Sequence, residues 1–275
     1  MTEYVCIRSH ELKDEGISAY RNLFHTVFGQ VKDENLFHRQ FTLGPIQSGY
    51  HSIMRVNNLW VGCYSAIPME FHHSGQLIKC ALVVDAIVHP QYQGKGHLRK
   101  ILNELYDRMH LDGFSFLYGM PNSRFKPLLT GALGWQDMGR MEWYVANSLI
   151  TKLGHPISNT TIFRKPSPRF TQYRYFGHKQ ITLEGGIAWV HSRFPAILTG
   201  LETESPDRLS DCFHQLSRMN FQPVLFPYLG PGRLGSIKVP KWIQGSRTMI
   251  AAFPLQKDIP ASDEILLRLS EFDLY

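Results

Sequence analysis

The segment Val88-His-Pro-Gln-Tyr-Gln-Gly-Lys-Gly-His-Leu-Arg-Lys-Ile-Leu102 carries the densest chemistry of the chain. An apolar strand runs into a glycine-bearing turn, and the turn opens directly into a helix. The first turn of a helix offers unpaired N–H groups and the positive end of the macrodipole. Gly94 and Gly96 let a phosphate approach the backbone without obstruction by a Cβ. Lys95, Arg99 and Lys100 place cations around the same point. Such a turn is a pyrophosphate cradle, or else an ordinary strand–helix connection whose glycines serve geometry alone. A P-loop, GxxxxGK followed by Ser or Thr, does not occur. A dinucleotide fingerprint needs a third small residue where Arg99 stands, and its strand would open a βαβ unit rather than close a hairpin.

A third cradle, the acyl-CoA pattern Q/R-x-x-G-x-G/A, is met at Gln93 and Gly96 and departs at Leu98. Near it stand a few groups able to move protons. Asp85 is the only carboxylate on the strand before the turn. A carboxylate in an apolar run is costly to bury, so it either has a structural partner or works in the site. His89 and His97 border the cradle, as a general base, phosphate contacts or solvated side chains. His72 and His73 fall in a hairpin turn without a third ligand at metal spacing. Cys6, Cys63, Cys80 and Cys212 form no CxxC pair and read as reduced, buried thiols. No HExxH or GxSxG string is present. The loop Pro227 to Gly235 is a plain connection, or an acceptor loop in which Arg233 meets an anion.

The elements that must position these groups follow from periodicity. Tyr4 to Arg8 alternates as a strand, and Ile17, Tyr20, Leu23, Phe24, Val27 and Phe28 recur at helical spacing. Leu36 to Leu43 predicts a short helix. Residues 50–56 and 59–67 predict strands about an Asn57-Asn58 turn, and a second turn at Ser74-Gly75 leads into a long strand, 77–88. A helix with Leu98, Ile101, Leu102, Leu105 and Met109 on one face stops at Gly113. Phe114 to Tyr118 is a strand, Asn122 to Leu133 a helix, and Met138 to Ala146 a strand. Residues 147–170 read as a linker. A second block follows, with strands at 180–184, 187–193, 196–201, 224–226 and 248–253. Its helix is capped by Ser205 and Pro206 and has Leu209, Cys212, Phe213, Leu216 and Met219 on its apolar face. The order echoes the first half, as a diverged duplication would. The fold class is mixed α/β, with domains at 1–150 and 151–275.

The chain has 275 residues and 31.7 kDa. With 43% hydrophobic and 19% charged residues it can bury a sizeable core, which excludes disorder as its main state. Its 29 Lys and Arg against 23 Asp and Glu give +6, with pI about 9.1 and no long basic block. That suits an anionic small ligand at least as well as a nucleic acid. The five tryptophans are dispersed and make a poor base-stacking platform. No stretch reads as a signal peptide. The most apolar run, Ala81 to Val88, falls far short of the ~20 residues of a membrane span. A cytoplasmic protein is expected.

The string Val-His-Pro-x-Tyr-Gln-Gly-Lys-Gly, with an apolar strand before it and Leu-x-x-Ile-Leu after it, resembles motif A of the GNAT superfamily of CoA-dependent N-acyltransferases. Tyr118-Gly-Met-Pro-Asn122-Ser, followed by Leu133-Gly134-Trp135, resembles the superfamily's second CoA-side motif. The resemblance spans about residues 50–146. The two-part layout, with a degenerate second half, is similar to that of nucleotide-sugar N-acyltransferases. It implies that backbone groups of Ile87 and Val88 face the thioester and pantetheine. Gln93, Gly94, Lys95, Gly96, His97 and Leu98 would hold the pyrophosphate, and Asn122 would touch the pantetheine. Two departures stand out. The tyrosine that often serves as general acid is missing from Leu128-Leu129-Thr130-Gly131, and the usual glutamate base falls near Leu82. Asp85 and His89 are left as the catalytic candidates.

The function implied is transfer of an acyl group from acetyl-CoA or another acyl-CoA to a primary amine, that of a dTDP- or UDP-linked amino sugar. Another small amine (aminoglycoside, polyamine or peptide) and a CoA-binding regulatory module without turnover are the alternatives. No metal, nucleic acid or membrane is expected, and a homodimer is allowed.

Overall fold

The computed structural model describes residues 1–146, 168–170, 179–191, 197–203, 208, 211–212, 215–216, 224–229, 237–238, 249–256 and 267–268. The chain divides into two compact units. One holds residues 1–70, 79–119 and 253–258; the other holds 71–78, 120–252 and 259–275. The domain boundary expected at 150 lies outside the described residues.

The first unit is built on β1 (Thr2–Arg8), α1 (Asp14–Phe28), α2 (Glu34–Phe37), β2 (Tyr50–Val56), β3 (Leu59–His73), β4 (Gln76–Val88), α3 (His97–Leu111) and β5 (Phe116–Gly119). Helix α1 buries Ile17, Tyr20 and Leu23 and ends at the left-handed Gly29. The short helix expected over Leu36 to Leu43 is α2 followed by a wider helical turn, His38–Leu43. The strands lie in the order β1-β2-β3-β4-β5. β1 and β2 are antiparallel from Thr2↔Val56 to Arg8↔Tyr50. Asn57 and Asn58, at φ 50° and 67°, make the two-residue turn that joins β2 to β3. β4 and β5 run parallel, and helix α3 is the crossover between them. Ile101, Leu102, Leu105 and Met109 of α3 are fully buried, and Ser52 on β2 donates to the Ile101 carbonyl at 2.6 Å.

The second unit contains α4 (Lys126–Ala132), β6 (Gln136–Arg140), β7 (Glu142–Ala146), β8 (Lys179–Leu183), β9 (Gly186–His191), β10 (Ile197–Thr203), β11 (Val224–Leu229), β12 (Ile237–Lys238), most of β13 (Met249–Pro254) and β14 (Leu267–Arg268). Its sheet has the order β12-β7-β11-β10-β9-β8, with β14 on β11. The chain then returns to the first unit. Phe253 stacks on Tyr106 at 4.1 Å, and the Leu255 N–H donates to the Ser115 carbonyl.

The mixed α/β class stands. Helix α4 begins at Lys126 rather than Asn122, because the Asn122 carboxamide oxygen accepts from the N–H groups of Arg124 and Phe125 in a tight turn first. The single strand expected over Met138–Ala146 is two. Gly139 takes φ 95° and Met141 is buried between them, so β6 pairs with β13 while β7 pairs with β11. Cys212 and Leu216, from the apolar face expected in the later helix, are helical and buried; Ser205 and Pro206 lie outside the described residues. β12 and β14, two residues each, are too short for alternation to reveal. No described helix is long and apolar enough to cross a membrane.

Candidate active site

The site begins with a break in β4. Asp85 has φ 54°, and among the described residues it is the only non-glycine in the left-handed region inside a strand. That conformation costs about 1–2 kcal/mol for an L-residue and interrupts the pleat. The pairing with β5 runs from Cys80↔Phe116 to Leu82↔Tyr118 and goes no further. At its end the two backbones are in close approach: a Cβ on Gly119 would lie 2.7 Å from Val83 Cγ2 and 3.3 Å from the Val83 carbonyl. Beyond this point β4 continues to Val88 while β5 has ended, so among the described residues no strand pairs with that edge of its last residues.

The end of β4 is pinned on its other edge. His89 N–H donates to the Val61 carbonyl of β3 at 2.8 Å. Successive peptide groups of a strand point to opposite edges, so the Val88 N–H turns to the edge that β5 has left. The Val88 carbonyl accepts from Gln93 Nε2 at 2.8 Å, which folds the following turn back onto the strand. Pro90–Tyr92 form one helical turn, tightened by Tyr92 N–H to the His89 carbonyl. Gly94 and Gly96 follow at φ 73° and 76°. A Cβ on either would meet no atom of the described residues within 4 Å, so what requires glycine there is the backbone conformation.

Gly96 is the N-cap of α3, and a glycine brings no side chain over the start of the helix. Gln93, Gly94, Lys95 and Gly96 are exposed. The Lys95 ammonium donates to the Gln91 carbonyl at 2.8 Å and lies 5.6 Å from the Tyr92 ring. His97 Nδ1 is 2.6 Å from the Tyr4 hydroxyl, and Leu98 is half-buried on the helix.

Ile87, Val88 and the six residues from Gln93 to Leu98 thus form one continuous strand end, turn and helix start. Asn122 belongs to the second unit and spends its carboxamide oxygen on the turn before α4. His89 accepts from the Gln91 N–H at Nδ1, 3.4 Å, which assigns the ring proton of the neutral form to Nε2.

Asp85 is not alone. Its Oδ2 accepts from the Tyr20 hydroxyl and, at 2.5 Å, from the Lys32 ammonium. Lys32 is only 6% exposed, with the rings of Tyr20, Phe24 and Phe41 at 5.5, 5.0 and 4.8 Å. Burial, and then the Asp85 charge, push the Tyr20 hydroxyl well above its usual range. His51 packs 5.6 Å from the Tyr20 ring, with its two ring nitrogens 2.9 Å from the hydroxyls of Ser9 and Ser65. Burial, then the Lys32 charge, pull its pKa down to about 3, so it is neutral. Burial holds the Cys63 thiol up at about 12, which removes it as a nucleophile.

Sequence reasoning found Asp85 and missed Lys32. Lys32 sits in a short polar stretch after α1, and nothing in its neighbours marks it among the 29 basic residues. The one usable signal was that a carboxylate inside an apolar strand needs a cation.

Residues 8–138 match the family model described as "Acetyltransferase (GNAT) domain". Solved structures with the same fold include a GCN5-related N-acetyltransferase from Kribbella flavida, at TM-score 0.63 and 10% identity over 92% of this chain and 72% of that one. A GCN5-related N-acetyltransferase from Anabaena variabilis matches at 0.58 and 11%, over 93% and 73%. Eis1 from Mycobacterium abscessus matches at 0.59 and 10%, over 93% and 74%. No curated protein sequence matches the chain.

Proposed function

We propose that residues 8–138, which match a family model described as an acetyltransferase (GNAT) domain, form an acyl-CoA-dependent acyltransferase that passes the acyl group to a primary amine held beside the end of β4. The observation that carries this reading is the join of two features in one stretch of chain. A strand edge vacated by β5 lies directly before a glycine turn that opens the N-terminus of α3.

Acyl-CoA fits that stretch as a substrate. Its pyrophosphate takes the N–H groups of the turn and the first turn of α3, from Gln93 to Leu98. Its pantetheine lies along the edge of β4 at Ile87 and Val88 that β5 leaves. The Val88 N–H points to the vacated edge and receives the carbonyl oxygen as it becomes negative; loss of one such donor typically costs ~3–4 kcal/mol of barrier. The amine nitrogen attacks the thioester carbon and a C–N bond forms. The C–S bond then breaks, and the amine's proton leaves with the CoA thiolate as free thiol.

Both expected proton acceptors already carry hydrogen bonds: Asp85 Oδ2 accepts from two donors, and His89 Nδ1 from the Gln91 N–H. On this reading the acceptor enters as the neutral amine, and Asp85 serves geometry. A weakly basic amine suits such a site, and the +6 balance of the chain suits an anionic acceptor. A nucleotide-linked amino sugar has both properties. On this reading residues 151–275 are a degenerate GNAT-like half, and the protein acts in the cytoplasm. The test is competition among dTDP- and UDP-linked amino sugars, aminoglycosides and polyamines. Preference for the nucleotide sugars, weakened by rising salt, supports the acceptor assignment. Equal turnover of the free sugars, or preference for polyamines, overturns it.

A further inference from the structure

We propose that Lys32 and Tyr20 are positioning residues that hold, through Asp85, the left-handed kink on which the parting of β4 from β5 depends. The inference rests on the acyltransferase reading for its kinetic consequence, but not for its structural one.

Mid-strand residues with φ near +54° are unfavourable, and such strain persists only where the surroundings over-determine it. Here the surroundings act on the side chain. An aspartate commonly supports a left-handed turn by bonding its own neighbouring backbone. Asp85 instead gives one carboxylate oxygen to two donors from outside the sheet, Tyr20 on α1 and Lys32 in the segment after it. The donors are themselves joined, Lys32 Nζ to the Tyr20 hydroxyl at 3.3 Å. Tyr20 is fully buried and Lys32 nearly so, and the rings of Phe24 and Phe41 wall in the ammonium. A cation so placed needs its carboxylate, because breaking a buried pair leaves an uncompensated charge. Asp85 cannot rotate into a regular pleat without giving up both donors.

The consequence falls on the residues beyond. Side chains and peptide groups alternate with period two along a strand, so a regularised Asp85 re-phases everything from Ala86 to Val88. The Val88 N–H then loses its aim at the reacting carbonyl. The helix that carries the cradle is anchored separately, by Ser52 of β2 on the Ile101 carbonyl, and so the first turn of α3 keeps its hold on CoA.

The test uses a substitution that removes the need for the tether. Glycine adopts a left-handed φ without penalty. Lys32→Met frees Asp85 and should lower kcat roughly 100-fold, the scale of a lost oxyanion contact, with KM for acyl-CoA within about three-fold. Lys32→Met combined with Asp85→Gly removes the buried charge and permits the kink, so kcat should return to within about five-fold of the parent. Amide exchange at Val84–Val88, read in the same proteins, should quicken in Lys32→Met and recover in the double variant. If the parent protein turns over no amine, the function reading fails, yet the amide exchange still decides the tether. A folded double variant as slow as Lys32→Met, or amide exchange unaltered in Lys32→Met, overturns the proposal.

Discussion

Replacing Gly96 by valine separates the geometry of the cradle from its chemistry. Gly96 has φ 76°, and nothing in the protein crowds a Cβ there. The folded state therefore suffers mainly the backbone penalty, about 1–2 kcal/mol, or somewhat more for a β-branched side chain. A domain with the usual 5–15 kcal/mol of stability survives that. Binding fares worse, because the valine methyls project into the open space beside the turn and keep a phosphate off the N–H groups. Hydrogen bonds to a charged group are worth about 1.5–3 kcal/mol each, so loss of two removes ~3–6 kcal/mol. At 1.4 kcal/mol per decade, Kd for CoA rises roughly 10²- to 10⁴-fold. Calorimetric titration with CoA measures this, and a thermal melt checks the fold. Gly29→Val is the matched control: Gly29 ends α1 at φ 69° with equally open surroundings, so it incurs the same backbone cost away from the cradle. It should lose similar stability and keep its CoA affinity. A folded Gly96→Val protein that binds CoA as tightly as the parent refutes the cradle.

Three further outcomes follow. His51 is held neutral with its pKa near 3, so the unfolded chain binds the extra proton first as pH falls; urea-derived stability should decline from about pH 6.5 downward, and His51→Gln should flatten that decline. If the amine enters neutral, the acidic limb of the kcat/KM profile should move with the pKa of the acceptor and stay in place in Asp85→Asn; a limb that vanishes in the variant would restore Asp85 as the base. Gly119→Ala puts a Cβ 2.7 Å from Val83 at the point where β5 ends, and should destabilise the fold by about 1–3 kcal/mol in chemical denaturation; a neutral result would mean that the strands are not held that closely.

Much of the first unit could be read from the chain because its signals are local. The Asn57-Asn58 turn, the helical recurrence from Ile17 to Phe24 and the glycine turn before α3 each lie within a few residues of what they determine. Signals that depend on distant partners could not be read. Asp85 was visible as a lone carboxylate, but its partners, Lys32, 53 positions away, and Tyr20, were not. The late start of α4 depends on which N–H groups the Asn122 side chain chooses, and the division of β6 from β7 on different sheet partners. The same limit applies to the acceptor: a charge balance can favour an anion without saying where it binds.

The central claim is tested most directly by following free CoA thiol and product mass together when the protein meets acetyl-CoA and a panel of primary amines. One equivalent of thiol should appear for each amine acylated, with the reaction abolished in Gly96→Val at micromolar acetyl-CoA. Tight binding of CoA without thiol release on any amine would contradict it and leave a CoA-binding module in its place.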